Sequence, residues 1–323
     1  KFKLSNLFSP KLVEIIKYWF IILFIETLLI RKYEINKIET VNEDINNVIK
    51  FDLLTEEKFK SLLIKTKIFN QILTDNRKVF FLITFMNIFR LTKKNYDLVI
   101  DLQNSQRTSF YNFFFRIFSK SYICSSRPFS HYRYRIPKQG SEKAKIGLSK
   151  QLLLLDIKIQ NNLNYDWLKQ KINKEISSPI VMLIPGVSKN SEYKQWEPKK
   201  FLKIAQYCES KNYKICIVGS KLDFDATNLI LKECKNVIDM IDKSPPGVIY
   251  SLALKSKLIF SNDTGPGHIA ALANKNIVWL LNDNLISQSN IENQNSNHKI
   301  FSRSIKDISV NFVIDYIEEN NLL

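Results

Sequence analysis

The stretch from Ser261 to Leu272, SNDTGPGHIAAL, combines the side chains and the kind of turn that a phosphate site requires. The chain has only seven glycines and three histidines, and two of those glycines and one of those histidines fall here. The apolar run Lys257–Phe260 before it predicts a buried strand, and Ile269–Ala273 after it predicts the beginning of a helix. The amides of a tight turn and of a first helical turn point toward a bound anion. We therefore predict a phosphate-binding loop.

Four residues of this loop have chemistry that suits a ligand. Thr264 and the amide of Gly265 suit a diphosphate, and His268 can donate to a phosphate or sugar oxygen. Asp263 would repel phosphate, so we expect it to orient the loop or to accept from a hydroxyl. Neither Gly-x-Gly-x-x-Gly nor Gly-x-x-x-x-Gly-Lys-Ser/Thr occurs in the chain, which argues against dinucleotide oxidoreductases and P-loop enzymes.

Two shorter features precede this loop and suit the same ligand. The Pro185-Gly186 turn follows the apolar run Ile180–Ile184 and brings the hydroxyl of Ser188. Lys194 comes just before a helix that is predicted to begin at Pro198, where its ammonium group can reach an anion. Taken singly, each is explained as well by an ordinary turn or by a solvated lysine. Beside the loop at 261–272, they predict a second part of one anion site.

A run of arginines and aromatic residues, RPFSHYRYR from Arg127 to Arg135, is the fourth feature. Arg127, Arg133 and Arg135 can hold a phosphorylated or carboxylated acceptor, and the tyrosines between them can stack on sugar rings. Such a run can also bind single-stranded nucleic acid, and a surface loop of biased composition explains it equally well. No RRM, KH or helix-turn-helix signature accompanies the run, so we expect no nucleic-acid partner.

The net charge of +17 over 323 residues suits an anionic substrate or a membrane face, although a general bias toward Lys, Ile, Asn and Phe explains part of it. The apolar segment Leu12–Ile30 is interrupted by charged residues at 14, 17 and 26. It predicts a buried core helix, with contact to a membrane surface as the second interpretation. The four cysteines form no C-x-x-C pair, and we expect no metal site.

Short apolar runs alternate with helical stretches along the chain, which predicts an α/β protein with parallel sheets. We expect an N-terminal domain over 1–160, a C-terminal domain over 175–308 and a terminal helix over 309–323. Strands are predicted at 47–51, 97–101, 122–125, 180–184, 214–218, 237–240, 258–260 and 277–281. Helices are predicted at 74–91, 106–118, 141–155, 198–211, 223–233, 246–254 and 267–273. A ligand is expected in a cleft between the domains, beyond the carboxyl ends of the strands.

In order and spacing, these segments resemble glycosyltransferase family 9, the ADP-heptose:lipopolysaccharide heptosyltransferases and their relatives. The pattern D-T-G-P-x-H-x-A-A, within 257–273, is similar to the nucleotide-sugar motif of that family. Tyr96–Gln103 is similar to a strand of its acceptor domain. Pro185–Trp196 and Lys214–Gly219 are similar to the opening of its donor domain. The resemblance runs from about Tyr96 to Leu281.

The resemblance implies a GT-B fold, in which two Rossmann-like domains with parallel sheets face each other across a cleft. It also implies inverting, metal-independent transfer of a heptose or related sugar. The donor is a nucleotide-diphosphate sugar, ADP-heptose by expectation, and the acceptor is a lipopolysaccharide core or similar glycan. Carried over by position, Lys194 would hold a donor phosphate. Thr264, Gly265 and His268 would line the diphosphate and the sugar.

The resemblance also assigns roles to acidic residues. Asp263 would contact the donor heptose, and Asp239 would face the nucleotide ribose. Members of the family open with a Gly-Asp turn whose Asp is the expected base, but alignment through Pro10 places Lys3-Leu4 there. Two explanations remain open: the N-terminal domain is incomplete or altered at its start, or the chain lacks the usual base, in which case Asp101 is the remaining candidate. The alternative function is therefore a sugar-nucleotide-binding homologue that lacks the base and does not catalyse transfer.

The implied chemistry determines the expected partners and location. The partners are a nucleotide-sugar donor and a lipid-linked anionic glycan, and no cofactor is needed. The donor is cytoplasmic and the acceptor lies in the membrane. We therefore expect a cytoplasmic protein with peripheral contact at the inner face of the inner membrane, to which a basic N-terminal half is suited.

Overall fold

The computed structural model describes residues 27–32, 49–75, 81–137, 142–158, 165–173, 175–176, 179–189, 191–284, 291 and 295–323. The chain divides between Trp167 and Leu168 into two compact units, called unit 1 and unit 2 below. Lys3-Leu4, Pro10 and most of the apolar segment at 12–30 lie outside the described residues. None of the helices in the described ranges is long and apolar enough to cross a membrane.

Unit 1 has a six-stranded sheet with helices packed against it. Its strands are β1 Thr27–Lys32, β2 Ile49–Thr55, β3 Gln71–Thr74, β4 Leu98–Asp101, β5 Tyr122–Ser125 and β6 Tyr132–Arg133. Its helices are α1 Glu57–Ile64, α2 Phe81–Thr92, α3 Gln106–Phe118 and α4 Ala144–Leu153. The strand order is β3-β2-β1-β4-β5-β6. Strand β1 is antiparallel to both of its neighbours, and the other described pairs are parallel.

The helix predicted at 12–30 is wrong at its carboxyl end, because Thr27–Lys32 is the central strand β1. The strand contains the continuous apolar run Leu28–Ile30, which does not alternate with polar residues. Periodicity alone does not distinguish such a run from a buried helix. The helix predicted at 74–91 is likewise shorter at its start, since Thr74 ends strand β3.

The carboxylate of Asp101 forms the polar centre of unit 1. It is completely buried at the end of β4. Its Oδ1 accepts the backbone N–H of Asn104 at 2.9 Å, and its Oδ2 accepts from Ser125 Oγ at 2.9 Å and from Asn112 Nδ2 at 3.3 Å. Gln151 Nε2 of α4 donates to the Asp101 carbonyl at 2.7 Å. The Asp101 side chain thus links β4 with β5 and α3, and the Asp101 carbonyl group binds α4.

Unit 2 is built on a six-stranded, all-parallel sheet with the order β12-β11-β10-β7-β8-β9. Its strands are β7 Ile180–Ile184, β8 Lys214–Ile217, β9 Val237–Asp239, β10 Ser256–Asn262, β11 Ile277–Asn282 and β12 Asn297–Ser302. Its helices are α5 Pro198–Ser210, α6 Phe224–Glu233, α7 Pro246–Lys255, α8 Gly265–Ala271 and α9 Val310–Glu319. The five strands predicted for this half are confirmed, and β12 is an additional edge strand.

The helices of unit 2 begin and end for local reasons. Proline lies in the first turn of α5, α7 and α8, where a missing N–H costs nothing. Helix α8 therefore begins at Gly265, two residues before the predicted start. Helix α9 is capped by Ser309, whose Oγ accepts the N–H of Phe312 at 3.1 Å. Val313 and Ile317 of α9 are buried in the same core as β7 and β10, so this last helix packs as part of unit 2.

We predict that Asp101→Ala lowers the free energy of unfolding of unit 1 by about 3 kcal/mol, because it leaves several buried donors without an acceptor. Asp101→Asn keeps the shape and one carbonyl oxygen, so we expect a smaller loss. Urea unfolding, followed by hydrogen exchange of peptides that cover β4 and β5, measures both. Equal stability of the alanine variant and the parent would contradict this structural role.

Candidate functional site

Strands β7 and β10 are neighbours in the parallel sheet, with Leu183 opposite Phe260 and Ile184 opposite Ser261. Their carboxyl ends therefore lie together, and the segments that follow them begin at the same edge. These are the two segments in which the sequence predicts a phosphate site. Parallel sheets bind ligands at this edge, because loops and helix starts meet there.

Two asparagines at this edge hold the loop that carries Lys194. Asn262 is completely buried at the end of β10; its Oδ1 accepts the N–H of Trp196 at 3.1 Å and its Nδ2 donates to Pro185 O at 2.9 Å. Asn282 ends the next strand, β11, and its Nδ2 donates to Tyr193 O at 2.9 Å. The sequence analysis missed both. Their only signal is an amide side chain at the end of an apolar strand.

Trp196 anchors the same loop in the hydrophobic core of unit 2. Its ring is completely buried against Phe201 of α5, with ring centroids 5.2 Å apart. Its indole Nε1 donates to Ile308 O at 3.0 Å, which satisfies its single donor. Trp196 is therefore a core residue, and the loop from Tyr193 to Trp196 is held at both its backbone and its side chain.

The carboxylate of Asp263 binds a lysine and a histidine that come from different parts of the chain. Lys194 Nζ donates to Asp263 Oδ2 at 2.8 Å, and His268 Nε2 lies 3.0 Å from Asp263 Oδ1. The Asp263 side chain is only 6% exposed, whereas those of Lys194 and His268 are 23% and 25% exposed. Both partners thus face solvent more than the carboxylate that holds them.

Burial by itself would raise the pKa of Asp263. The hydrogen bonds and charges of His268 and Lys194 outweigh that effect and lower its pKa below the ordinary value of 3.8. Asp263 is therefore ionised at neutral pH, and it compensates the charge of Lys194. Of the two roles expected for Asp263, this geometry shows orientation of the loop, since each of its oxygens has a partner.

Helix α8 lies unusually close to the sheet at Gly267. A Cβ on Gly267 would come within 2.2 Å of Ser261 Oγ and 2.9 Å of Trp279 Cζ3. A larger residue would fit there only if Ser261, Trp279 or the helix shifted. The close approach places the ring of His268 against Trp279, with centroids 5.0 Å apart. Gly265 differs, because a Cβ there would meet no atom within 4 Å.

The other residues predicted for this site lie along the same edge. Thr264 is the N-cap of α8 and is buried. Ser188 is exposed on the loop after β7. Asp239 ends β9, two strands away from β7, where its Oδ2 pairs with Lys243 Nζ at 2.6 Å. Asp239 also lines a cavity of about 540 Å³ with Met240, Pro245 and Val248.

Asp223 is a further carboxylate at this edge that the sequence analysis missed. Its Oδ2 accepts the N–H and the Oγ of Ser220, each at 2.8 Å. Its carboxyl group lies so close to Gly186 that a Cβ there would come within 2.3 Å of Asp223 Oδ1. A side chain at position 186 would therefore require the Asp223 carboxylate to move. Two features of the sequence could have predicted this contact. Gly186 follows the predicted strand β7 closely, and a carboxylate lies four residues beyond Gly219, which follows β8.

The predicted acceptor residues lie in unit 1. Arg127 Nε donates to Ser109 Oγ at 3.0 Å, which fixes the guanidinium group against α3. Arg133 Nε donates to Ser126 O at 3.3 Å, and both Arg133 and Arg135 are exposed.

Asp101, also in unit 1, is completely buried, unlike these arginines. Burial raises its pKa, although hydrogen bonds from Asn104 and others partly oppose the shift. A buried and fully bonded carboxylate has no surface for an acceptor, so we do not retain Asp101 as a candidate base.

Solved structures of similar fold include three glycosyltransferases. ADP-heptose LPS heptosyltransferase II of E. coli is 18% identical, with a TM-score of 0.62 over 84% of this chain and 88% of that one. A glycosyltransferase of family 9 from Veillonella parvula DSM 2008 is 16% identical, with a TM-score of 0.67 over 83% and 87%. E. coli heptosyltransferase WaaC, solved with ADP, is 15% identical, with a TM-score of 0.62 over 84% and 88%. The predicted GT-B class of α/β fold is thereby confirmed.

No curated protein sequence matches the chain significantly. The sequence model of glycosyltransferase family 9 (heptosyltransferase) matches residues 87–282, which is more than half of the chain. The matched range contains Lys194, Asp263 and His268, and it ends at Asn282, the asparagine that holds the Lys194 loop. The chain belongs to glycosyltransferase family 9.

Proposed function

We propose that this protein transfers a heptose from ADP-heptose to a lipopolysaccharide core or a similar anionic glycan, with inversion and without a metal ion. Lys194 and His268 carry the proposal: they lie 74 residues apart in sequence, yet both bind the carboxylate of Asp263. A lysine ammonium group and an imidazole at the carboxyl edge of a parallel sheet suit a diphosphate. Two of the similar structures were solved with ADP or with ADP-2-deoxy-2-fluoro heptose, which supports this choice of donor.

In the proposed reaction, the oxygen of an acceptor hydroxyl attacks the anomeric carbon of the donor from the face opposite the diphosphate. The bond from that carbon to the phosphate oxygen breaks, and its electron pair leaves with ADP. The hydroxyl proton passes to a general base, which we do not assign. Lys194, His268 and the amides near Thr264 and Gly265 would stabilise the negative charge that develops on the leaving diphosphate. Ser188 would donate to the same phosphates.

The nucleoside would bind further along the same edge. The carboxylate of Asp239 suits the hydroxyl groups of a ribose. The neighbouring cavity of about 540 Å³ offers the apolar surfaces of Met240, Pro245 and Val248 to a base. Lys243 already pairs with Asp239, so ribose would share this carboxylate with it. Asp263 would act mainly by positioning Lys194 and His268, with any contact to the heptose secondary.

We propose that Arg127, Arg133 and Arg135 bind the anionic acceptor. Guanidinium groups bind phosphate and carboxylate with paired hydrogen bonds, and two of these three are exposed. Because such an acceptor is linked to lipid, we propose that the protein acts in the cytoplasm, at the inner face of the inner membrane.

A transfer assay tests the proposed function. The full reading frame, supplied with ADP-heptose and a heptose-deficient lipopolysaccharide, is expected to release ADP and to form a product of inverted anomeric configuration, as measured by NMR. A chelator is expected to leave the rate unchanged. Binding of ADP-heptose without transfer to any core acceptor would instead support a binding protein that does not catalyse the reaction.

Calorimetric titration with ADP tests the assignment of the diphosphate site. We predict that Lys194→Ala and His268→Ala each weaken ADP binding about 10- to 100-fold, because each removes a charged or strong donor to phosphate. Lys199→Ala, on the exposed side of the next helix, and His298→Gln, on the edge strand β12, are matched controls that should bind as the parent does. Unchanged affinity in both site variants would contradict the assignment.

The lowered pKa of Asp263 predicts how its contribution to stability depends on pH. A carboxylate whose pKa is lower in the folded state stabilises that state above the ordinary value of 3.8 and loses this effect as the pH falls below it. Asp263→Asn should therefore lower the free energy of unfolding at pH 7 by about 1–3 kcal/mol. Urea titrations at pH 7, 5 and 3 should show this difference shrinking only at pH 3. A difference that stays constant to pH 3 would contradict the charged network.

A further inference from the structure

Helices α2 and α3 carry a continuous cluster of aromatic rings on the outer side of unit 1. Phe118 packs on Phe89 at 5.3 Å and on Phe114 at 5.7 Å between ring centroids. Phe114 contacts Phe113 at 5.6 Å, and Phe113 contacts Phe129 at 5.1 Å. The rings therefore form a chain of contacts from the end of α2, across α3, to the loop that follows β5.

Much of this cluster reaches the surface. Met86 is 50% exposed, Ile117 54%, Phe118 42% and Phe129 48%. Four large apolar side chains on these two helices and the loop after β5 thus have about half of their area in water, which is more than the scattered exposure of an ordinary surface. We call these four residues, with Phe89, the aromatic face.

The backbone conformation of Phe129 is a second indication that its exposed ring is a fixed feature of the fold. Its φ of 69° lies in the left-handed region, which is unfavourable for a bulky residue. The turn is closed by Ser130 Oγ, which donates to Arg127 O at 2.8 Å. The strained backbone turns an aromatic ring outward against Phe113 instead of into the core. Such strain persists where the surrounding structure holds it, and it often marks a binding surface.

The charged side chains of α2 and α3, and of the residues that closely follow each helix, are cationic. Arg90, Lys93, Arg116 and Lys120 belong to the two helices or directly follow them, and neither helix contains an Asp or Glu. Lys93 Nζ lies 4.9 Å from the centre of the Phe89 ring. No Asp or Glu occurs between Leu102 and Ser141. The face is therefore apolar at its centre and cationic around it.

We propose that the aromatic face binds the surface of an anionic lipid bilayer. Aromatic and aliphatic side chains enter the boundary between headgroups and acyl chains, and surrounding arginines and lysines bind anionic headgroups. A second copy of the chain fits less well, since a symmetric contact would bring the cations of both copies together. Nucleic acid fits less well because Met86 and Ile117 offer it neither stacking nor hydrogen bonds.

The proposal rests on the proposed function only in that a lipid-linked acceptor requires access to a membrane. Vesicle sedimentation without donor or acceptor tests it separately from catalysis. We expect the full chain to bind vesicles of phosphatidylglycerol and phosphatidylethanolamine, to bind phosphatidylcholine vesicles far more weakly, and to lose affinity in high salt.

Two double variants test the aromatic face: one removes positive charge and the other removes apolar surface. Arg90→Gln with Arg116→Gln should weaken binding to the anionic vesicles about 30-fold, because each cation near anionic lipid contributes about fivefold. Met86→Gln with Ile117→Gln should weaken it about tenfold by removing apolar area. All four side chains are exposed, so circular dichroism and ADP affinity should match the parent and show that the fold is intact.

Matched controls come from the same unit. Ile64→Gln with Leu153→Gln changes two apolar residues of similar exposure, 57% and 52%, on α1 and α4, and should bind vesicles within twofold of the parent. Lys65→Gln with Lys67→Gln serves as the control for charge. The proposal is overturned if the parent ignores anionic vesicles, if it binds both lipids equally, or if the face variants bind as their controls do. Dimerisation or RNA binding that the face variants abolish, without vesicle binding, would also overturn it.

Discussion

The side chain of Asn262 makes the contacts on which the geometry of the candidate site depends. It is buried at the end of β10, and it binds the backbone on both sides of the loop after β7, at Pro185 and at Trp196. That loop would otherwise be a long connection with many conformations, and each ordered residue would cost conformational entropy. Because Asn262 directly precedes Asp263, the strand that positions the carboxylate also positions the lysine that binds it. The geometry of the site is thus determined by backbone hydrogen bonds more than by its charges.

Within that frame, the ionised carboxylate of Asp263 compensates the charge of Lys194 before a ligand binds. Asp263 is the least exposed of the three charged groups, and Lys194 and His268 lie above it toward solvent. A diphosphate would therefore meet the cations first and the carboxylate last. Such an arrangement holds cationic donors in place in advance, which lowers the cost of ordering them when a ligand arrives.

Much of unit 2 could be predicted from sequence because its central strands are covered on both faces. Runs such as Ile180–Ile184 and Ile277–Leu281 are apolar throughout and are bounded by turn residues, so their positions are clear. A continuous apolar run also misled the helix prediction over 12–30, whose end, Thr27–Ile30, belongs to strand β1 of unit 1. Strand β12 was missed for the opposite reason: it lies at a sheet edge, and Ile300 is its one buried apolar residue. Asp101 was taken for a candidate base because sequence shows a carboxylate but shows neither its burial nor its partners.

The close packing at Gly267 has a consequence for how this site tolerates change. Gly267 has no side chain, and its contacts with Ser261 and Trp279 set how near His268 approaches the sheet. A larger residue there would force Ser261, Trp279 or the helix to shift, and a shift of the helix would move His268 with it. The geometry of the candidate site is therefore sensitive to mutations beneath it as well as in it. Sequence comparison confined to the charged residues would mistake such a variant for a fully competent one.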